Sequence, residues 1–155
     1  MKALWEVADF VRGLHREMRF GELSRAPLRL LRFELRGEVA ECDWMARPPD
    51  VWDASLGCRM REHTASEQAL RDAIRVRDLV FAVLPDVESA MLRAFRPSAA
   101  REPPELIIIG AVHRGDADAY GGTSLVMHAK LSGLRFCLDG ERLESMPFEE
   151  FEMSL

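Results

Sequence analysis

The sequence predicts an α+β domain in which a mainly antiparallel sheet, built from a two-strand hairpin and a C-terminal meander, is packed by a central amphipathic helix and an N-terminal helix. Three stretches carry that prediction. Residues 64–84 hold apolar side chains at three- and four-residue steps, residues 28–45 form two apolar runs around Gly37-Glu38, and residues 105–146 break into short apolar runs separated by glycine-containing turns.

In chain order, residues 2–19 predict a first helix with Leu4, Val7, Ala8, Val11, Leu14 and Met18 on one stripe, ending near Phe20-Gly21. A hairpin follows, with glycine first in a two-residue turn as type II′ prefers. That register sets Leu35 opposite Ala40, Phe33 opposite Cys42 and Leu31 opposite Trp44 on one face, and Arg32 opposite Asp43 on the other. It makes Cys42 a small core residue.

Residues 45–63 lack periodicity and contain adjacent prolines, so they read as a long loop over an edge or pocket. Thr64 and Glu67 have capping-box spacing and place the central helix start at Thr64, while Pro85 ends it. Leu70, Ala73, Ile74, Val80, Phe81 and Leu84 form its core stripe, Val76, Leu79 and Val83 widen it, and Glu67, Arg71, Asp72, Arg75 and Asp78 are assigned to water.

Beyond the helix, residues 86–96 predict a strand, and the run LIIIGAVH predicts a central strand covered on both faces. Residues 124–131, 134–138 and 141–146 predict the meander, with turns at Ser132-Gly133 and Asp139-Gly140.

All 155 residues are assigned to one domain, with 139–155 an acidic and partly flexible end. With 48% hydrophobic and 30% charged residues the chain can bury a core. No apolar run reaches bilayer length, and Glu6 and Asp9 interrupt any signal-peptide core, so a cytoplasmic protein without membrane attachment is expected. The net charge of −5 argues against non-specific nucleic-acid binding. Charge is uneven: residues 1–36 carry eight basic and five acidic side chains, whereas 139–155 carry six acidic and one basic, Arg142. Cys42, Cys58 and Cys137 suggest neither a disulfide framework nor a zinc site, and no cofactor or metal is expected.

Two places could carry chemistry. If 124–131 and 134–138 form a hairpin, His128 faces Cys137 with Cβ atoms about 5 Å apart, a pair in which imidazole could activate a thiol; a structural role competes with it. Trp52, Arg59, Arg61, His63 and Thr64 could line an anion pocket at the amino end of the central helix; a loop pinned by Trp52 with its charges in water is the plainer reading. Arg114-Gly115-Asp116 and the Asp116–Asp118 spacing echo adhesion and EF-hand motifs but read as a polar turn, since Met127 stands where calcium would need glutamate.

No phosphate loop, serine elbow or zinc-helix motif is present. The leading expectation is therefore a non-catalytic module that forms a homodimer or binds another protein. The alternative is a domain or enzyme for an acyl or other anionic small molecule, with its pocket between the 45–63 loop, the helix 64–84 amino end and the His128/Cys137 face.

Overall fold

Gly37, at φ 59°, makes the reversal that the hairpin requires, a conformation costly for a residue with a Cβ. In the computed structural model, which describes residues 2–21, 23–48, 57–98, 102–116, 124–140 and 142–146, β1 (Arg29–Arg36) and β2 (Val39–Met45) pair across that turn. The pairs Leu35–Ala40, Phe33–Cys42 and Arg32–Asp43 form as predicted. Leu31 does not reach Trp44: a β-bulge between Leu30 and Arg32 shifts the register, and Leu30 takes that place. Cys42 is fully buried, and burial pushes its thiol pKa well up.

The order continues with α2 (Cys58–Val83), β3 (Ser89–Arg96), β4 (Glu105–His113), α3 (Leu125–Leu131) and the two-residue strands β5 (Leu134–Arg135), β6 (Leu138–Asp139) and β7 (Arg142–Leu143), after an N-terminal α1 (Lys2–Glu17). Strands β1 to β5 form one sheet in sequence order, and β6 pairs with β7. The sheet is mixed: β2 and β3 run parallel, which corrects the expectation of a mainly antiparallel arrangement. Its cause is α2, which carries the chain from the end of β2 back to the start of β3, a crossover that a parallel pair needs.

A second correction concerns residues 125–131, which are helix rather than strand. Ser124 caps it by accepting a hydrogen bond from the Met127 amide at 3.2 Å, and Gly133, at φ 100°, ends it. A helix packs Leu125, Val126 and Ala129 against the core together while Met127 and Leu131 stay exposed, a grouping that alternation along a strand cannot provide. The last hairpin is also shifted by one residue, because Asp139 pairs with Arg142 and Gly140, at φ 61°, opens the turn.

The third correction is the start of α2. Gly57 is its N-cap, no side chain caps it, and the Thr64–Glu67 capping box does not form because Thr64 already lies inside the helix. The polar first turns, CRMREH, hid that extension.

Helices cover one face of the sheet. Beneath them lie Phe33 and Leu35 of β1, Ala40, Cys42 and Trp44 of β2, Ala90, Leu92 and Ala94 of β3, and Ile108 and Val112 of β4. From α1 the core takes Phe10, stacked on Phe33 at 4.3 Å, with Leu14 and Met18, whereas Leu4 of the predicted stripe is 70% exposed. The other face carries Arg32, Glu41, Asp43 and Arg93 in one charge cluster, beside Met91, Leu106, Ile109 and Met146. Burial works to raise the Glu41 carboxyl pKa, but the Arg32 hydrogen bond and the charges of Arg32 and Arg93 outweigh it and hold it below the usual value.

Two arginines tie helix ends to the sheet. Arg47, just after β2, donates through NH2 to Met18 O at 2.6 Å and through NH1 to Arg19 O at 3.4 Å and to Ala26 O, so it satisfies carbonyls at the end of α1. Its Nε donates to Asp72 at 2.8 Å, and Gln68 donates to the other Asp72 oxygen at 3.0 Å. Asp72 is therefore wholly buried rather than water-facing. At the other end of α2, Arg114 donates to the carbonyls of Phe81, Leu84 and Val87 at 2.7 to 2.9 Å, which gives the Arg-Gly-Asp arginine a place in the fold.

β4 meets the C-terminal elements so closely that Gly110 has no room for a side chain. A Cβ there would lie 2.6 Å from Gly133 O and 2.9 Å from Leu134 Cα, both backbone atoms. Gly110→Ala is expected to cost about 1–3 kcal/mol in urea unfolding by prising β5 from β4; an unchanged midpoint would contradict that contact.

Candidate functional site

The parallel β2–β3 pair leaves a cleft at the carboxyl ends of both strands, where the amino end of α2 begins. There the structure holds a groove of about 470 Å³. Ala46, Pro48, Ala65, Ala69 and Ile107 give it apolar walls, and Arg61, Arg96 and Arg142 bring three guanidinium groups to it. Arg47 also borders it, but its donors are committed to the helix end and Asp72.

Each arginine is placed by a different element. Arg96, the last residue of β3, donates twice to Glu105 Oε2 at 2.8 and 3.2 Å and once to Leu143 O at 2.7 Å, so it is rigid and mostly occupied. Arg142 is carried by β7, which is anchored to α2 by the Leu143 amide donating to Ser66 Oγ at 3.0 Å. Its Nε lies 3.4 Å from Glu62 on α2, the only acid lining the groove among the described residues. Arg61 lies on the second turn of α2, with its Nε buried and without a hydrogen-bond partner among the described residues.

The helix amino end adds to this field. It has Gly57 as N-cap without a capping side chain and no acid in its first turn, so among the described residues no side chain of its own cap or first turn offsets the partial positive charge of its amides. In a chain of net charge −5, this corner concentrates positive charge beside apolar walls.

Among residues anticipated from sequence, Arg61 lines the groove, and Arg59, His63 and Thr64 lie on the same helical turns but not in its wall. Arg59 is exposed. His63 instead opens, with Ser66 and Glu67, into a smaller cleft of about 230 Å³ bounded by Ser124, Leu125, Val126 and Leu138. Trp52 lies outside the described residues. His128 and Cys137 do not form a cross-strand pair, because His128 is on α3 and Cys137 on the segment between β5 and β6. His128 lies in a separate cleft with Arg77, Asp78, Phe81, Arg114 and Gly115, towards the other end of α2. Among the described residues, His128 and Cys137 therefore do not form the shared face that was to bound a pocket with the helix amino end. Among the described residues no cluster of three histidine, cysteine or acidic side chains could hold a metal ion, and no helix is long and apolar enough to cross a membrane.

The groove residues missed by sequence reasoning are Arg96, Arg142 and Glu62, whereas Cys58, expected beside Trp52 in such a pocket, does border it. Arg142 had stood out only as the single base in an acidic segment. Arg96 closes β3, and its importance becomes legible only once β2, α2 and β3 are seen as one crossover unit.

The fold this site belongs to is a mixed-sheet α+β arrangement with helices on one face. No protein family, curated protein or solved structure matches the chain, so the chemistry of the groove itself bears on function.

Proposed function

We propose that this protein binds a small anionic ligand with an apolar portion, such as an acyl carboxylate, in the groove at the amino end of α2. The observation that supports this reading is the pairing of apolar walls with Arg61 and Arg142 in the lining of one cavity of about 470 Å³. Such a volume lies within the range of small-molecule sites, which combine apolar walls with a few fixed polar groups. Arg61 and Arg142 would take the anionic head by charge-assisted hydrogen bonds, with the α2 amides behind them. Glu62 competes for Arg142 and so sets the affinity.

Titration calorimetry with octanoate, octanol and inorganic phosphate separates the two halves of the site. Octanoate is expected to bind, and octanol and phosphate to bind at least about tenfold more weakly, each lacking one half of the interaction. Arg61→Ala and Arg142→Ala are each expected to weaken octanoate about 10- to 100-fold, the cost of a charged hydrogen bond, while Glu62→Gln tightens it and Arg59→Ala leaves it unchanged. Octanoate failing to bind, or binding equally to the Arg61 and Arg142 variants, would rule the reading out.

A further inference from the structure

β1 closes one side of the sheet, and among the described residues nothing pairs with its outer edge. Arg36 and Val39 flank a two-residue turn and so form a hydrogen-bonded pair; alternation then directs Glu34 and Arg32 towards β2, and the backbone groups of Leu35 and Phe33 outwards. An edge eight residues long with free donors and acceptors is a template for another strand.

The side chains select among the two-fold antiparallel registers in which β1 could meet a second β1. An axis through Glu34 sets Glu34 against itself and Arg32 against Arg36. An axis through Arg32 sets like charges together at the centre. An axis through Leu35 is complementary in charge but meets the Gly37-Glu38 turn after one pair on each side. An axis through Phe33 pairs Arg32 with Glu34 twice, next to the bulge at Leu31. Arg32 and Glu34 are both about 40% exposed on the uncovered face and already ion-pair within the chain at 2.7 Å, so the pairs across the axis extend or exchange with that contact.

The helix layer supplies a second contact over the same edge. α1 presents Gly13 to Leu79 and Val83 of α2, and Phe10 stacks on Phe33. At 100° per residue, Leu4 lies about 180°, Val11 about 160° and Val7 about 120° from Gly13, on the flank of α1 turned away from α2. Phe10, which stacks on β1, lies about 60° from Gly13 on the way round to that flank, and Leu4 is 70% exposed while Val7 and Val11 are part-exposed. Continuing the sheet through β1 brings the two α1 flanks together.

We infer that two copies of this chain associate through β1, in antiparallel register centred on Phe33, to form a continuous ten-stranded sheet with Arg32–Glu34 ion pairs across the axis and α1 against α1 above it. This inference is independent of the groove, which lies at the carboxyl ends of β2 and β3.

Sedimentation equilibrium of the full chain over a range of concentrations is expected to show a monomer–dimer equilibrium. Glu34→Arg, which sets like charges opposite each other twice, is expected to loosen it at least about tenfold, and Val11→Lys, on a helix surface outside the core, is expected to do the same while circular dichroism stays unchanged. The double exchange Arg32→Glu with Glu34→Arg is expected to regain self-association yet fail to pair with differently tagged wild-type chain. A monomer at every concentration would overturn the inference, as would a dimer indifferent to Glu34→Arg and Val11→Lys.

Discussion

Arg47→Ala is expected to lower stability by about 3–5 kcal/mol, read as a shifted urea midpoint, because it leaves the Asp72 carboxylate buried and without its cation. Both side chains are only 1% exposed, and their contact is 2.8 Å. The same substitution removes donors from Met18, Arg19 and Ala26, so amide exchange is expected to accelerate first in the last turn of α1 and in residues 23–28. Replacing both partners, Arg47→Met with Asp72→Leu, is expected to recover most of the loss, since no charge is then stranded. A single substitution costing less than about 1 kcal/mol would show that the pair does not hold α1 to α2 and the sheet.

Trp44→Ala is expected to cost a comparable amount, about 3–5 kcal/mol, by opening a cavity in the middle of the core. Trp44 is completely buried, between Leu30 on one neighbouring strand and Ala94 on the other. Its indole N–H has no hydrogen-bond partner among the described residues, so Trp44→Phe removes an unpaired buried donor along with part of the ring. The phenylalanine variant is therefore expected to lie within about 1.5 kcal/mol of the parent. Equal losses for alanine and phenylalanine would mean that the indole N–H, not ring volume, is what the site requires.

These two side chains show what could be read from the chain and what could not. Trp44 was legible: glycine punctuation set the hairpin turn, alternation set which residues face the core, and only the bulge at Leu31 escaped, since nothing in the run RLLRFELR marks one leucine as the extra residue. Asp72 was not legible, because a charged residue on an amphipathic helix is ordinarily at the surface. Its position was informative all the same, about 40° around the helix from buried Val76. The partner that explains it, Arg47, lies 25 residues away in sequence, on the far side of a loop.

Residues 124–131 failed for a different reason. Seven residues are too few to separate a period of 2 from one of 3.6, and the deciding signals, a serine cap and a glycine stop, fit a strand between turns as well. That misreading created the apparent His128–Cys137 pair and hid the groove's true neighbours. Of the residues expected at the amino end of the central helix, Arg61 lines the groove. What sequence could not supply was Arg96 and Arg142, brought there from β3 and β7 by pairing over long separations.

The central claim is tested most directly by recording amide chemical shifts of the full chain during titration with octanoate. Saturable shifts are expected at residues 58–66 on α2, at Arg96 and Ile107, and at Arg142, reduced when Arg61 is replaced by alanine. Shifts confined to the clefts around His63 and Ser124 or around His128 and Arg114, or no saturable shift at all, would contradict it.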